Sequence, residues 1–338
     1  MLHARVVVFP YCINCIMCYL CKSAVRGLNI EKLKGMRGID YSRRSVLHIY
    51  QRSRKGYLLF YTVTDYLVFF TLFCVLVRKH RLRVLGVCPM FDHIHILVDG
   101  ADRNRVSAFM RELLSLYAKE LNNRLGLAGP VFCRRFGCAV KTGHKAICTA
   151  CSYLYNNPGE KQLCVRAEQY RWTFLAYAES LYPFSDPVKL SAASFPQRKA
   201  IKAVNYYLKR NRHLAHAALD GMFGKLKPAE RQQLTDYIIT KYNCIDYQAL
   251  FSFYDNSYSR ACLAFASNQG SEYDLKEERT KDTHRAYQAI PAVLKQHFDD
   301  SSVRDILKLD IPARQEILPL LLYETHASIR QLVKYLRL

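Results

Sequence analysis

The stretch "LRVLGVCPMFDHIHILVDG" (residues 82–100) contains two apolar, strand-like runs separated only by Met-Phe-Asp. A connection this short predicts a β-hairpin. In the second run, side chains two residues apart project to the same face of the strand. His93 and His95 are therefore expected side by side on one face, with Ile94 and Ile96 on the other. Two neighbouring neutral imidazoles can form half of a metal site, although two hydrogen-bonded histidines at a sheet edge would give the same pattern.

Strand and helix patterns alternate on both sides of this hairpin. We predict strands at 45–52 and 134–142, a helix at 63–80 that begins near Thr64 or Asp65, an amphipathic helix at 105–126 ended by Gly126, and a helix at 145–157 stopped by Pro158 and Gly159. This order of elements predicts an α+β fold, with a mainly antiparallel sheet covered by helices. The most apolar run, residues 66–77, is shorter than the ~20 residues that cross a bilayer, so we expect it to be a buried helix.

The chain is expected to divide into two domains. The Pro- and Ser-rich segment at 183–197 separates an α+β domain at 45–180 from a helical, basic domain at 195–338. The last stretch, "ETHASIRQLVKYLRL" (residues 324–338), is similar to the first helix of a helix-turn-helix, so that the motif would be partial.

The first 35 residues form an apolar, Cys-rich extension with three open interpretations. Cysteines at every third position are similar to iron–sulfur ligands: Cys12, Cys15, Cys18 and Cys21. The apolar run is also similar to a signal peptide or a membrane-associated segment. We favour a third interpretation, in which translation starts at Met36.

The charge of the chain points to a polyanionic partner. The formal net charge is +22 and the pI is about 9.5, an excess larger than solubility needs. Nucleic acid and an anionic membrane surface are the two candidates, and a merely solvated basic surface is the alternative.

The stretch "YLYNNP" (residues 153–158) adds a nucleophile to the two histidines. Tyr153 and Asn157 are four residues apart and share a helix face, whereas Tyr155 lies about 200° around the helix from Tyr153. Together with His93 and His95, these residues are what a tyrosine nuclease requires. The two imidazoles and the Asn157 amide oxygen would hold one divalent metal, Mg²⁺ or Mn²⁺ rather than structural zinc. Tyr153 would attack a DNA phosphate and release a 3′-hydroxyl.

Three ordered stretches carry a family resemblance. In this sequence they read "MFDHIHILV" (90–98), "SLYAKELNNRLGLAGPVFCRRF" (115–136) and "YLYNNP" (153–158). The corresponding motifs of the family are Met-Pro-Asn-His-Val-His-Leu-Leu-Val, a segment from Ser-x-Tyr-Ala to a closing Arg-Phe, and Tyr-Ile-His-Leu-Asn-Pro. On these motifs, residues 45–180 resemble the REP-associated tyrosine transposases of the single-tyrosine HUH superfamily, which carry an IS200-like transposase domain. The segment departs from the family pattern at Phe91, at Asp92 and at "GEKQLC" (159–164), which puts hairpin recognition by that last segment in doubt.

The resemblance implies an HUH nuclease fold and a DNA transposase. It implies a metal-dependent endonuclease that cleaves and rejoins single-stranded DNA beside hairpins through a 5′-phosphotyrosine at Tyr153, without a small-molecule substrate. His93, His95 and Asn157 would be the metal ligands. Such a protein would be cytoplasmic, at the bacterial nucleoid, and its oligomeric state, monomer or homodimer, stays open.

Outside the catalytic set, Arg134 and Arg135 are candidate DNA-backbone contacts, because phosphate contacts supply most of the affinity for DNA. Trp172 is expected in the core rather than stacked on a base. Two alternative functions remain open: a catalytically inactive or domesticated nucleic-acid-binding protein, and a basic membrane-associated protein anchored by its first residues.

Overall fold

Four strands form one antiparallel sheet in the spatial order β2-β3-β1-β4. The structure, a computed structural model, describes residues 45–133, 135–267, 283–298 and 303–338. The strands are β1 (Ser45–Arg52), β2 (Arg83–Pro89), β3 (His93–Asp99) and β4 (Gly137–Thr142). The predicted hairpin is β2-β3, and its short connection is tied by the hydrogen bond from the Met90 amide to the His93 carbonyl (2.8 Å). The Cys-rich extension at 1–35 lies outside the described residues.

The register of the sheet decides which side chains meet. In β1, Tyr50 is paired with His95 on one side and with Gly137 on the other, and Arg52 is paired with His93. A side chain at Gly137 would lie 1.8 Å from a ring carbon of Tyr50, so the tyrosine ring covers this glycine. The predicted alternation in β3 is confirmed: the two histidines share one face of the sheet, and Ile94 and Ile96 lie on the other.

Three helices alternate with the strands: α1 (Val63–Lys79), α2 (Arg103–Leu125) and α3 (His144–Glu160). α1 and α2 pack on each other, while α3 crosses all four strands. α2 ends where predicted, because Gly126 adopts a left-handed conformation at its C-terminus (φ 68°). The α+β prediction is therefore confirmed.

The start of α1 lies earlier than predicted. Its N-cap is Thr62 rather than Thr64 or Asp65, and Asp65 instead sits in the first turn. The Asp65 carboxylate accepts hydrogen bonds from the backbone amides of Tyr61 (2.9 Å) and Thr62 (2.8 Å), which fixes the start of the helix. The apolar run at 66–77 is buried in α1, and among the described residues no helix is long and apolar enough to cross a membrane.

The predicted end of α3 is wrong. The helix continues through Pro158 to Glu160. Pro158 cannot donate to the carbonyl four residues earlier, but its fixed φ of about −65° is helical, so the last turn can still form with one hydrogen bond missing. The carbonyl groups of this turn are satisfied instead by the amides of Lys161 (to Asn157, 3.1 Å) and Leu163 (to Pro158, 2.9 Å).

The second half of the chain is helical, as predicted. Its helices are α4 (Phe195–Lys209), α5 (His216–Phe223), α6 (Pro228–Tyr242), α7 (Tyr247–Phe251), α8 (Tyr258–Ser267), α9 (Arg285–His297), α10 (Val303–Lys308), α11 (Ile311–Glu316), α12 (Leu318–Thr325) and α13 (Ile329–Leu336). Of these, α5 and α6 pack on α1, and α8 packs on α3. The described residues belong to one compact unit. The domain boundary near 183–197 and the partial helix-turn-helix stay predictions.

Trp172 lies in the core, as predicted. Its ring stacks on the ring of Tyr66, with centroids 4.3 Å apart and an interplanar angle of 7°. The Tyr66 hydroxyl in turn lies 3.3 Å from the Tyr170 hydroxyl, so this aromatic cluster joins α1 to the segment that follows α3.

Candidate active site

Strand β3 presents two buried imidazoles on the face of the sheet that α3 covers. The ring centroids of His93 and His95 are 5.0 Å apart, and the rings are nearly perpendicular (87°). His95 is fully buried and His93 nearly so. Because imidazole nitrogens need partners when buried, the contacts of each ring nitrogen determine what the pair can do.

The Nδ1 atom of each histidine is within hydrogen-bonding distance of a neighbouring side chain. His93 Nδ1 donates to the Asp92 carboxylate (2.7 Å), and His95 Nδ1 lies 3.2 Å from His48 Nε2. Fixing Nδ1 in this way orients the ring and leaves Nε2 as the coordinating nitrogen, which is how metal-binding histidines are commonly supported. His48 lies in β1, and the sequence interpretation missed it. The signal was a histidine between the apolar residues Val46, Leu47 and Ile49.

Helix α3 brings Tyr153 and Asn157 to these histidines. The Tyr153 ring centroid lies 5.4 Å from that of His95 and 5.7 Å from that of His48. The Asn157 amide nitrogen lies 3.3 Å from His95 Nε2, one helical turn from the tyrosine. The structure therefore brings together all four residues singled out in the sequence as nucleophile and metal ligands.

The Asn157 side chain has an unsatisfied oxygen. Oδ1 is buried and has no hydrogen-bond partner in the described part of the chain. Burying a polar atom without a partner costs about 1–3 kcal/mol, so a ligand at this atom would remove the penalty. The amide nitrogen, not Oδ1, lies 3.3 Å from His95 Nε2. Turning the amide plane over would put Oδ1 in that position, close to the spacing of about 3 Å between adjacent ligands of an octahedral metal.

The donor set therefore fits Mg²⁺ or Mn²⁺. Two imidazoles and an amide oxygen form a mixed nitrogen and oxygen set, with room for water and phosphate oxygens. In the described ranges, this site included, no group of three or more His, Cys, Asp or Glu side chains is placed to hold a metal ion, so the proposed set depends on the Asn157 amide as its third ligand. The metal site stays a prediction that these contacts support.

A second residue missed by the sequence interpretation comes from the helical half of the chain. His284, directly before α9, is buried against the connection between β2 and β3. Its Nε2 lies 3.6 Å from the Asp92 carboxylate, and its ring centroid lies 6.0 Å from that of His93. Burial lowers the pKa of His284 to about 3, so this imidazole is neutral at pH 7. No sequence pattern links positions this far apart.

Asp92 is the charged group between these imidazoles. Burial acts to raise the pKa of its carboxyl group, but the hydrogen bond from His93 outweighs it and holds the pKa below its usual range. The departure from the family pattern at this position therefore supplies a carboxylate that orients His93.

The rival tyrosine, Tyr155, lies on the other side of α3. It is fully buried, its hydroxyl donates to the Leu85 carbonyl (2.9 Å), and its ring stacks on Phe265 (4.7 Å between centroids). Burial raises the pKa of Tyr155 well above the ordinary value. This tyrosine is a core residue.

Of the two arginines predicted to contact DNA, the structure describes Arg135, for which no contact with the histidines is found among the described residues. Arg135 is exposed just before β4, and Arg134 lies outside the described residues. Their role stays a prediction.

Comparison with known families agrees with the site. Residues 48–157 match the family model described as "Transposase IS200 like", a match that begins at His48 in β1 and ends at Asn157 in α3. The comparisons with curated proteins and with solved structures found no match. The match covers about a third of the chain, and it supports a DNA transposase function with DNA as the partner. The resemblance to this family is confirmed, and the REP-associated subtype stays a prediction.

Proposed function

We propose that the protein is a metal-dependent tyrosine HUH endonuclease and strand transferase, which cleaves and rejoins single-stranded DNA beside hairpins. The observation that carries the proposal is the convergence of Tyr153 and Asn157, from one face of α3, on the paired histidines of β3. A buried tyrosine ring packed against two imidazoles, beside an unsatisfied amide oxygen, is a costly arrangement for a core and a useful one for phosphodiester chemistry.

In the proposed reaction, Tyr153 is the nucleophile. Its phenolic oxygen forms a bond to phosphorus, and the bond from phosphorus to the 3′ oxygen breaks. The strand that ends in this oxygen leaves with a free 3′-hydroxyl, which takes up the proton lost by the phenol. The protein keeps the 5′-phosphate as a phosphotyrosine. Because this bond conserves the phosphodiester energy, a 3′-hydroxyl of another strand can attack it in reverse and rejoin DNA without ATP.

His93, His95 and Asn157 would hold the metal. When bound, Mg²⁺ or Mn²⁺ supplies Lewis-acid polarisation of the phosphate and neutralises charge on its oxygens. The residues of this chain do the positioning. Asp92 and His48 orient the two imidazoles through their Nδ1 atoms, and α3 sets the nucleophile one turn from the amide.

The proposed substrate follows from the family resemblance. Single-stranded DNA next to a hairpin is what the REP-associated transposases process, and a net charge of +22 is favourable for a nucleic-acid partner. A substrate with an unpaired scissile phosphate can enter a site lined by buried side chains without melting a duplex first.

The test is a covalent adduct on a denaturing gel. The full chain is incubated with a pool of labelled single-stranded hairpin DNAs and Mn²⁺ or Mg²⁺. We expect an adduct that disappears with Tyr153→Phe, with His95→Ala and with a chelator. Tyr155→Phe is the matched control for the tyrosine, and His80→Ala, which removes a histidine paired with Glu112 outside the site, is the control for the histidine.

If all hairpins are bound in a salt-dependent manner but no adduct forms with either metal, the proposal of catalysis is wrong. The protein would then be a nucleic-acid-binding protein without catalytic activity. An adduct that persists in Tyr153→Phe would assign the nucleophile elsewhere.

A further inference from the structure

Helix α4 lies outside the matched transposase domain and exposes a regular row of side chains. Phe195, Lys199, Lys202, Tyr206 and Lys209 follow one another at intervals of four and three residues, so they share one helix face. All five are exposed, the two aromatic rings at 72% and 50%. We call this row the basic-aromatic face.

The opposite face of α4 fixes the helix to the protein. Ala200, Ile201 and Val204 are buried, and the Tyr237 hydroxyl in α6 donates to the Asn205 side chain (2.9 Å). The basic-aromatic face is therefore presented outward on a rigid helix about 22 Å long.

The charge of this segment has no internal compensation. Between residues 187 and 219 the sequence has seven Lys and Arg residues and no Asp or Glu. Among the described contacts, no ion pair involves the three lysines of the face. A solvated helix would ordinarily intersperse both signs, because like charges on one face repel one another.

An aromatic ring within the row already stacks on a planar cation. The Arg210 guanidinium lies 3.7 Å from the Tyr206 ring centroid, and the Tyr207 ring packs edge-on at 5.9 Å. Proteins that bind single-stranded nucleic acids combine exposed aromatic rings with lysines and arginines. The bases stack on the rings, and the phosphates contact the cations.

We propose that the basic-aromatic face of α4 is a second binding surface for single-stranded DNA, separate from the site on β3 and α3. An acidic protein surface would match the lysines but would leave two exposed rings without a role, and a duplex would offer phosphates without accessible base faces. The surface goes beyond the proposed cleavage reaction, because it would bind the DNA strand without taking part in the chemistry.

The experiment measures binding rather than cleavage. The full chain carrying Tyr153→Phe is titrated into a labelled oligothymidine strand, and fluorescence anisotropy is recorded at several salt concentrations. The triple variant Lys199→Ala/Lys202→Ala/Lys209→Ala is expected to bind at least tenfold more weakly and to lower the slope of log K against log salt by about 2. The matched control removes three exposed lysines elsewhere, with Lys119→Ala/Lys225→Ala/Lys308→Ala.

Stacking is tested separately. Tyr206→Ala is expected to weaken binding about fivefold or more while leaving the salt slope unchanged, because stacking involves no counterion release. Equal losses in the two triple variants, or no loss with Tyr206→Ala, would overturn the proposal. So would equal affinity for a duplex of the same length. All of these measurements use the Tyr153→Phe protein, which is expected to form no adduct. The binding results therefore test the α4 surface even if the proposed cleavage reaction is wrong.

Discussion

His48 supports the proposed site without being a proposed metal ligand or the proposed nucleophile. Its Nε2 lies 3.2 Å from Nδ1 of His95, and both imidazoles are fully buried. Removing it would take away the contact at Nδ1 that helps to orient the His95 ring and to fix its tautomer.

We therefore predict that His48→Ala raises the Mn²⁺ concentration needed for half-maximal adduct formation by about 10- to 100-fold. The metal titration is followed on the same denaturing gel, with His80→Ala as the control. A half-maximal concentration equal to that of the unchanged protein would show that other contacts hold His95. A circular dichroism spectrum of each variant verifies that the fold is retained.

The residue scale also marks the limit of sequence interpretation. The side-by-side placement of His93 and His95 follows from strand geometry alone, and that of Tyr153 and Asn157 from helix geometry alone. His284 could not be found in this way, because its approach to Asp92 depends on how two distant segments pack. Local periodicity determines neighbours along an element, whereas contacts between elements depend on the whole core.

At the scale of single elements, α3 is held against the sheet by a close approach. A side chain at Gly86 in β2 would lie 2.8 Å from the Tyr155 hydroxyl oxygen and 3.0 Å from its ring carbon Cζ. Glycine is thus the residue that allows α3, and with it Tyr153, to reach its position over the histidines.

Gly86→Ala is predicted to lower the free energy of unfolding by about 1–3 kcal/mol, since the ring and the helix must shift. Gly221→Ala in α5 is the matched control, because apart from the adjoining helix backbone no described atom lies within 4 Å of the added carbon. That change should stabilise the protein by about 0.5–1 kcal/mol, as alanine is favoured over glycine inside a helix. Urea unfolding measures both, and changes of the same sign would contradict the packing argument.

The start of α1 is joined to α5 by a buried ion pair. His216 Nε2 lies 2.8 Å from the Asp65 carboxylate, and its Nδ1 lies 3.4 Å from the Glu120 carboxylate of α2. Burial alone would lower the pKa of His216, but the two carboxylates outweigh it and raise the pKa to about 9. Burial acts to raise the pKa of Asp65, but the contact with His216 outweighs it and lowers that pKa. The pKa of Glu120 is lowered first by the hydrogen bond from His213 and then by the one from His216.

This ion pair predicts a pH dependence of stability. Because the folded pKa of His216 lies above the ordinary 6.5, its stabilisation is fully present below pH 6.5 and is lost as the pH rises through 9. The shift corresponds to about 3 kcal/mol. Thermal unfolding between pH 6 and 10 should show this loss in the unchanged protein and a flatter profile in His216→Gln. The exposed His297→Gln variant is the control, and parallel profiles in all three proteins would refute the assignment.

The ends of the helices could be predicted from the sequence in some cases and not in others. The end of α2 was predictable because only a glycine is at ease in the left-handed conformation of Gly126. The start of α1 was missed because Thr62, Thr64 and Asp65 can all cap a helix, and the choice depends on which amides the Asp65 carboxylate reaches. The end of α3 was missed because Pro158 falls where the helix is already ending.

At the scale of the whole molecule, the helical half shares its core with the sheet half. The Arg337 side chain donates to the Tyr61 hydroxyl (3.0 Å) and to the Leu58 carbonyl (3.0 Å), and the Tyr61 hydroxyl donates to the Tyr335 carbonyl (3.2 Å). These contacts tie α13 to the segment that leads into α1. The two regions that the sequence separates near 183–197 are therefore continuous in their packing.

We predict that the protein unfolds in one transition. Trp172 fluorescence, which reports on the sheet half, and far-ultraviolet circular dichroism, which is dominated by the helices, should give the same urea midpoint. Leu332→Ala, which removes a fully buried side chain from α13, should move both midpoints together by an amount equivalent to about 2–5 kcal/mol. Two separate midpoints would instead support two independently folding domains.

The packing of His284 and Tyr287 against Phe91 affects the order in which the site is completed during synthesis of the chain. A ribosome completes α3 and its tyrosine well before it reaches residue 284, a delay on the order of ten seconds at ordinary elongation rates. During that interval the connection that carries Asp92 lacks its later neighbours. A nascent chain that has passed residue 160 but not residue 284 is therefore expected to contain the proposed nucleophile and both histidines without the later packing around Asp92.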